Sequence, residues 1–369
     1  MNLETYKPGS YPDLPPPSGT VGIYGWIKNN LFSSLSNSLL TLLSITLLYF
    51  LIDSIVSWFL LDAVFDADSK TECRKIDNGA CWAVVSRRIG QFVYGFYPEA
   101  ERWRIDITFL GMFLAFAPLL YPDLPKRKFL LWFSGIFPIL AYLLINGGYF
   151  GLSKVEYNLF GGFMLTVIIG ITGIVCSLPI GIVLALGRQS KLTVVRTLSV
   201  SFIEFMRGVP LITLLFVASS MLNYFMPPGT NFSILVRVII MFTFFSAAYI
   251  AEVIRGGIQA IPKGQYEAAD ALGLNYWQTT RFITLPQAMK ISIPGIVNTF
   301  IGLYKDTTLV VVIGLLDPLG IARASLADTK WNGLSIEVYL FVALFFFISC
   351  LAMSRYSLWL EKKLNTDHK

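Results

Sequence analysis

Charge is scarce in this chain. Only 14% of its 369 residues are Asp, Glu, Lys or Arg, while 55% are hydrophobic. Soluble domains carry about 25% charged residues, so an ordinary water-soluble globular protein is excluded. Histidine is scarcer still: His368, in the C-terminal tail, is the single one. Without a histidine in the body of the chain, His-based catalysis and His-ligated metal sites have no residues to use. No catalytic residue and no metal site is expected. The four cysteines, Cys73, Cys81, Cys176 and Cys350, lack zinc-site spacing. The Gly-x-x-x-x-Gly-Lys-Ser/Thr loop that cradles nucleotide phosphates is missing too. The chain therefore has no nucleotide site of that kind and no expected cofactor. No convincing internal repeat is present. The net charge of +6 is modest and reads as loop Lys and Arg beside a membrane surface, not as a nucleic-acid site.

What is present is a series of apolar runs approaching the roughly 20 residues needed to cross a bilayer. The fold class is an all-α polytopic membrane protein. Eight spans are expected, near Leu39–Leu61, Ile105–Tyr121, Phe129–Phe150, Leu159–Gly187, Val209–Met226, Phe232–Ile254, Ile291–Leu315 and Glu337–Ser354. Residues 1–37 form a polar, proline-rich tail, disordered over 1–20 and without the pattern of a signal peptide, then a short run that lies at the membrane surface or simply leads into the first span. Residues 38–154 hold three spans and a polar loop at 62–105, residues 155–358 hold five spans, and 359–369 are a polar tail.

The longest polar interval of the second half, Gly264 to Pro286, is not composed like a linker. Ile261, Ala268, Ala269 and Leu272 recur at helical spacing, with Gln265, Glu267 and Asp270 off that face. Gly273 follows where a left-handed terminating residue is favoured. The pattern predicts a short helix, a turn and a second helix that stops near Pro286, which cannot donate an interior bond. Charged pairs stand out elsewhere. Glu204 and Arg207 are three apart and share a face if helical, and Gly208 and Pro210 after them should break that helix. Lys305 and Asp306, followed by Thr307, lie near the middle of the seventh run, where charge is expensive and usually functional or paired. Each pair offers an anion and a cation, the contacts an amino acid zwitterion needs; the alternative is that the pairs satisfy each other and stabilise the break.

These residues also carry a resemblance. Glu204-x-x-Arg207-Gly208-x-Pro210-Leu211, Ala251-Glu252-x-x-Arg255-Gly256-Gly257, Gly264-Gln265-x-Glu267-Ala268-Ala269 followed by Gly273, Leu285-Pro286-Gln287-Ala288 and Lys305-Asp306-Thr307-Thr308-Leu309 resemble the permease subunits of polar amino acid ABC importers. The three-span extension with its Cys73/Cys81 loop is similar to the general L-amino acid subgroup. Val209 stands where Thr is usual, and Thr308 where Ser is common. The resemblance implies a non-catalytic subunit with a five-span core whose polar loop is a cytoplasmic coupling helix. Gly264, Gln265, Glu267, Ala268, Ala269, Gly273, Leu285 and Pro286 would form that coupling surface; Glu204, Arg207, Lys305, Asp306 and Thr307 are substrate-pathway candidates.

The same resemblance implies an ABC ATPase dimer, a second related permease and a periplasmic binding protein as partners, an amino acid as substrate, and the inner membrane of a Gram-negative bacterium as location. A cytoplasmic coupling loop and strict alternation put Lys126, Arg127, Lys128, Arg188 and Arg196 inside, as the positive-inside rule asks. The basic residues of 62–105 then fall outside, against that rule. In that outer compartment Cys73 and Cys81 are expected to form a disulfide, the alternative being two unpaired thiols. Two other function classes compete: a secondary transporter driven by an ion gradient, for which matched repeats are missing, and a non-transporting scaffold.

Overall fold

The computed structural model describes residues 22–121, 124–221, 224, 227 and 232–364. The expected disordered tail at 1–20 and His368 lie outside the described residues. Helix is the only regular element among the described residues, beyond three isolated β-bridges. That follows from the composition: in hydrocarbon each backbone N–H needs a partner within its own segment.

The chain divides into two compact units. Of the described residues, the first comprises 22–66 and Thr71–Trp82. It holds α1 (Gly22–Asn30) and α2 (Leu35–Val56), which runs on as a π-turn over Ser57–Leu61. Ser34 caps α2, its hydroxyl accepting from Asn37 N at 3.2 Å. The following loop carries α3 (Lys70–Ile76) and returns to the end of α2. Ala80 N donates to Trp58 O and Val64 N to Ala80 O, each at 2.8 Å, and Trp82 Nε1 donates to Phe59 O at 2.9 Å. Cys73 and Cys81 face each other at a Cα–Cα distance of 5.9 Å, the span of a disulfide.

The second unit comprises Ala67–Lys70 and the described residues from Ala83 onward. After α4 (Ala83–Tyr94), α5 (Trp103–Leu120) and α6 (Arg127–Asn146) form an antiparallel hairpin. Ser134 Oγ donates to Ala115 O at 2.6 Å across it. Buried Arg104 ties the base of α5 to the loop beyond α6, donating to Ser153 O at 2.8 Å and pairing with Glu101. The centre is built on α7 (Gly162–Arg188), α10 (Ile234–Gln259) and α13 (Leu285–Asp306). Glycines let α7 and α10 approach: a Cβ on Gly173 would stand 2.6 Å from Phe242 Cδ1, and one on Gly181 2.7 Å from Ile250 Cγ2. Small residues are what apposed membrane helices use for close contact. Between α7 and α10 come α8 (Thr193–Gly208) and α9 (Leu211–Phe216), the latter continued by a π-turn to Met221. The remaining helices are α11 (Lys263–Ala271), α12 (Tyr276–Gln278), α14 (Pro318–Ala327) and α15 (Ser335–Leu364).

Seven helices among the described residues are long and apolar enough to cross a membrane, and α8 with α9 makes an eighth if that bent pair is one span. The fifth span is where expectation and structure part. A single run from Val209 to Met226 is expected; instead two limbs, Thr193–Gly208 and Leu211–Met221, meet at 101°. Pro210 has no N–H to continue the ladder, which sets the break. Residues 222–223 and 225–226 of the expected span lie outside the described residues.

Candidate functional site

The polar interval begins where α10 ends. Pro262 precedes the first residue of α11, and α11 closes on Gly273, whose φ of +69° only glycine adopts cheaply. Gly273 N donates to Asp270 O at 2.9 Å and Leu274 N to Ala269 O at 3.1 Å, so the last carbonyls are satisfied. Asn275 and Gln278 then make a reciprocal capping box. The expected helix, turn, helix is therefore present, with one correction. The second helix does not stop at Pro286. It runs as α12, a π-turn over Thr279–Thr284 and α13, one continuous path past the proline. Wider i→i+5 bonding over Thr279–Thr284 shifts the ladder just before Pro286, so the proline, which has no N–H to give, falls where the regular α pattern is already interrupted.

The loop's residues divide between two faces. Gly264, Gln265, Glu267, Ala268 and Gly273 are exposed, as is Pro286. Leu285 is half-buried and Ala269 fully buried, within α11, which lies along Thr279–Thr284. Gln287 Nε2 donates to Gln265 Oε1 at 3.0 Å, tying α11 to α13. Leu272, expected on one apolar face with Ala269, is instead 76% exposed, and Tyr276 and Trp277, which the sequence reading did not single out, are 59% and 72% exposed beside it. The signal for Tyr276 and Trp277 was available, since large aromatics inside a polar interval that no helical face accounts for need a cover.

Glu204 and Arg207 lie on one face of α8 but do not pair with each other. Arg188, the last residue of α7, bonds Glu204 Oε1 at 2.7 Å and Glu252 Oε1 at 3.0 Å. Arg207 Nη1 is 3.4 Å from Glu252 Oε2, and Arg255 Nη2 is 3.0 Å from the same oxygen. Arg207 also stands over the ring of Tyr249, 5.7 Å from its centroid. Glu252 thus meets guanidinium groups from three helices. Lys305 and Asp306 are the last two residues of α13, and the apolar helical path runs on past them as a 3₁₀ turn to Ile313. Lys305 is exposed, Asp306 half-buried and Thr307 buried. Thr307 Oγ1 donates to Tyr304 O at 2.7 Å. Among the described residues no ion pair or hydrogen bond joins this group to the cluster around Glu252.

The sequence profile described as "Binding-protein-dependent transport system inner membrane component" matches residues 177–366, just over half of the chain. It takes in the charge cluster and the whole loop. The chain belongs to that family. A binding-protein-dependent inner membrane component is the membrane-embedded, non-catalytic part of its transport system. Two relatives match this family member almost end to end. A glutamate/glutamine/aspartate/asparagine transport system permease protein of Rhodobacter capsulatus, BztC, is 46% identical over 96% of this chain and 96% of its own length. An inner membrane amino-acid ABC transporter permease protein of Escherichia coli, YhdY, is 47% identical over 97% of each. Both matches extend upstream of residue 177, so the extension is shared with them. Among solved structures, a crystal structure of an amino acid ABC transporter with histidines is 30% identical, covering 54% of this chain and 91% of that one, with a TM-score of 0.49.

Proposed function

We propose that this chain is one transmembrane permease subunit of an ATP-driven importer of polar, general L-amino acids in the inner membrane of a Gram-negative bacterium. The observation that carries the reading is the loop from α10 to α13: a short helix presenting Gly264, Glu267 and Ala268 outward, beside exposed Leu272, Tyr276 and Trp277. A small-residue face flanked by aromatic anchors suits insertion into a groove of a partner. The partner is a separate ABC ATPase, acting as a dimer. Glu267 pairs with a basic residue there, and Gly273, Leu285 and Pro286 hold the helix in the docking pose. Because α11 is tied to α13 through Gln265 and Gln287, closure of the ATPases moves α11 together with α10 and α13, a rigid-body switch of the spans.

Residues 155–358 form the transport core in this reading, and 38–154 the extension, with 62–105 in the periplasm; 1–37 and 359–369 are cytoplasmic. A second, related permease completes the pathway, and a periplasmic binding protein delivers the amino acid. Lys305, Asp306 and Thr307 border the substrate path at one level. Glu204 and Arg207 border it at the charge cluster, where each is already held by a partner. Cys73 and Cys81 are oxidised in the periplasm.

Purification of the complex from its own membranes, followed by uptake of radiolabelled glutamate, glutamine and other L-amino acids into vesicles, tests the proposal. Co-purification of an ATPase, a second permease and a binding protein is expected, with uptake that stops when ATP is withheld. Uptake driven by an ion gradient without ATP would replace it with a secondary transporter.

A further inference from the structure

Glu252 answers a mechanical problem that α8 poses. Among the residues of α8 only Ser199, Ile203 and Met206 are buried, a single narrow stripe at spacings of four and three. With Phe202 edge-on to Phe244, that stripe seats α8 on the core but leaves Glu204, Arg207 and Gly208, the residues next to the break, on the exposed side. Yet α8 is the limb that ends at Gly208, where the chain turns through 101° into α9. Its position decides the shape of that break.

The charge cluster holds this end of α8. Glu204 and Arg207 are the α8 members, Arg188 comes from α7, and Glu252 and Arg255 come from α10. Both oxygens of Glu252 are used. Oε1 accepts from Arg188 and from Arg255 Nε, and Oε2 faces Arg207 and Arg255. Its side chain is only 14% exposed, whereas Glu204 is 54% exposed. Removing the Glu252 charge would leave three guanidinium groups facing one solvated carboxylate. Breaking one side of a partly buried network leaves such uncompensated charge. The same helix runs on from Glu252 to Gln259, about 10 Å at 1.5 Å per residue, and then into α11. The α7–α10 pair is interlocked through Gly173 and Gly181; Ile203 of α8 packs in one cluster with Ile250, Ala251 and Ile254 of α10, and the ions add a hold at the end of α8 next to the break.

We propose that Glu252 is the positioning residue that transmits movement of the coupling helix to the break at Gly208–Pro210. The inference rests on the importer reading. The cluster holds α8 on α10, and motion of α10 redirects α9 through it.

The test uses the purified complex in proteoliposomes, reading both ATP hydrolysis and uptake of radiolabelled glutamate and glutamine. For Glu252→Gln, ATP hydrolysis should stay within about two-fold of wild type while uptake per ATP falls at least ten-fold. Glu252→Asp, which keeps the charge, should recover most of that ratio. Arg188→Gln, which cuts α7 from both carboxylates, serves if Glu252→Gln fails to assemble, and should lower the ratio at least three-fold. An unchanged ratio in the assembled variants would overturn the inference. A wild-type complex that imports without ATP would instead overturn the importer reading itself.

Discussion

Gly257 of α10 lies directly against Ala288 of α13. A Cβ at Gly257 would stand 2.6 Å from the Ala288 carbonyl oxygen and would collide with Ser292 Oγ as well. The carbonyl belongs to a helix and cannot swing aside. This contact closes the base of the loop that carries α11, so the two spans leaving and re-entering the core are clamped where the loop starts. Gly256, one residue earlier, faces open space. The two glycines therefore predict opposite results. Gly257→Ala should destabilise the protein by about 1–3 kcal/mol through overpacking. Gly256→Ala should be neutral or stabilising by up to about 1 kcal/mol, as a helix glycine replaced without a clash. Thermal unfolding of the detergent-solubilised chain compares them; equal melting points would contradict the close packing.

The exposed aromatics of the loop give a second prediction. Trp277 is 72% exposed, so Trp277→Ala removes little that the isolated chain uses. Its melting temperature should hold. Binding of the ATPase should weaken by about 2 kcal/mol or more, as for an aromatic anchor at an interface, some 30-fold in affinity. Ala269→Glu differs, because Ala269 is 2% exposed and buried within the loop itself. A carboxylate there pushes α11 off Thr279–Thr284. Membrane insertion should survive and uptake should be lost, as with Gly273→Asp, where a side chain is forced to φ +69°. Trp277→Ala retaining full ATPase affinity would place the docking surface elsewhere.

Much of this architecture was legible because bilayer crossing leaves a coarse mark. The run expected at Leu159–Gly187 is α7, Gly162–Arg188. The break at Gly208–Pro210 was legible because proline's missing donor is a local fact. The limb before it was not. Arg196, Glu204, Arg207 and an amphipathic face keep α8 out of any hydropathy run, although it packs on α7 and α10. Pro286 misled for a related reason: the π-turn over Thr279–Thr284 that carries the helix past it, with Thr280 and Thr284 buried, leaves no local mark in the sequence. The shared face of Glu204 and Arg207 followed from spacing, but their partners are 16 and 45 positions away in Arg188 and Glu252. Such pairings arise only when α7, α8 and α10 assemble.

The loop bearing Cys73 and Cys81 makes a third prediction. The eight-residue separation and Cα–Cα distance of 5.9 Å fit a bridge. Closing so short a loop should stabilise the folded segment by about 2–3 kcal/mol. Labelling with a bulky maleimide in denaturant should therefore modify only Cys176 and Cys350 before reduction and all four cysteines after it. Four labelled thiols without reductant would show the pair to be unbridged.

Asp317 supplies the pH dependence. It caps α14, its Oδ1 accepting from Gly320 N at 2.9 Å, while Oδ2 is buried without a hydrogen-bond partner. The residue is fully buried, and burial raises its pKa to about 6, with the Gly320 and Leu319 N–H groups and Arg323 opposing. In the unfolded chain an aspartate titrates near 3.9. Between those values the folded state holds a proton that the unfolded state has released, so proton binding favours folding there. The stabilisation is complete below the unfolded value and is lost as pH rises through about 6. A shift of this size corresponds to roughly 3 kcal/mol. Thermal unfolding of the wild type should thus move upward as pH falls from 8 to 5. Asp317→Asn keeps an oxygen for Gly320 N and carries no charge, so it should raise stability at pH 8 and remove that part of the slope. A variant with the wild-type pH slope would show that Asp317 is ionised at no cost, with its second oxygen reached by water.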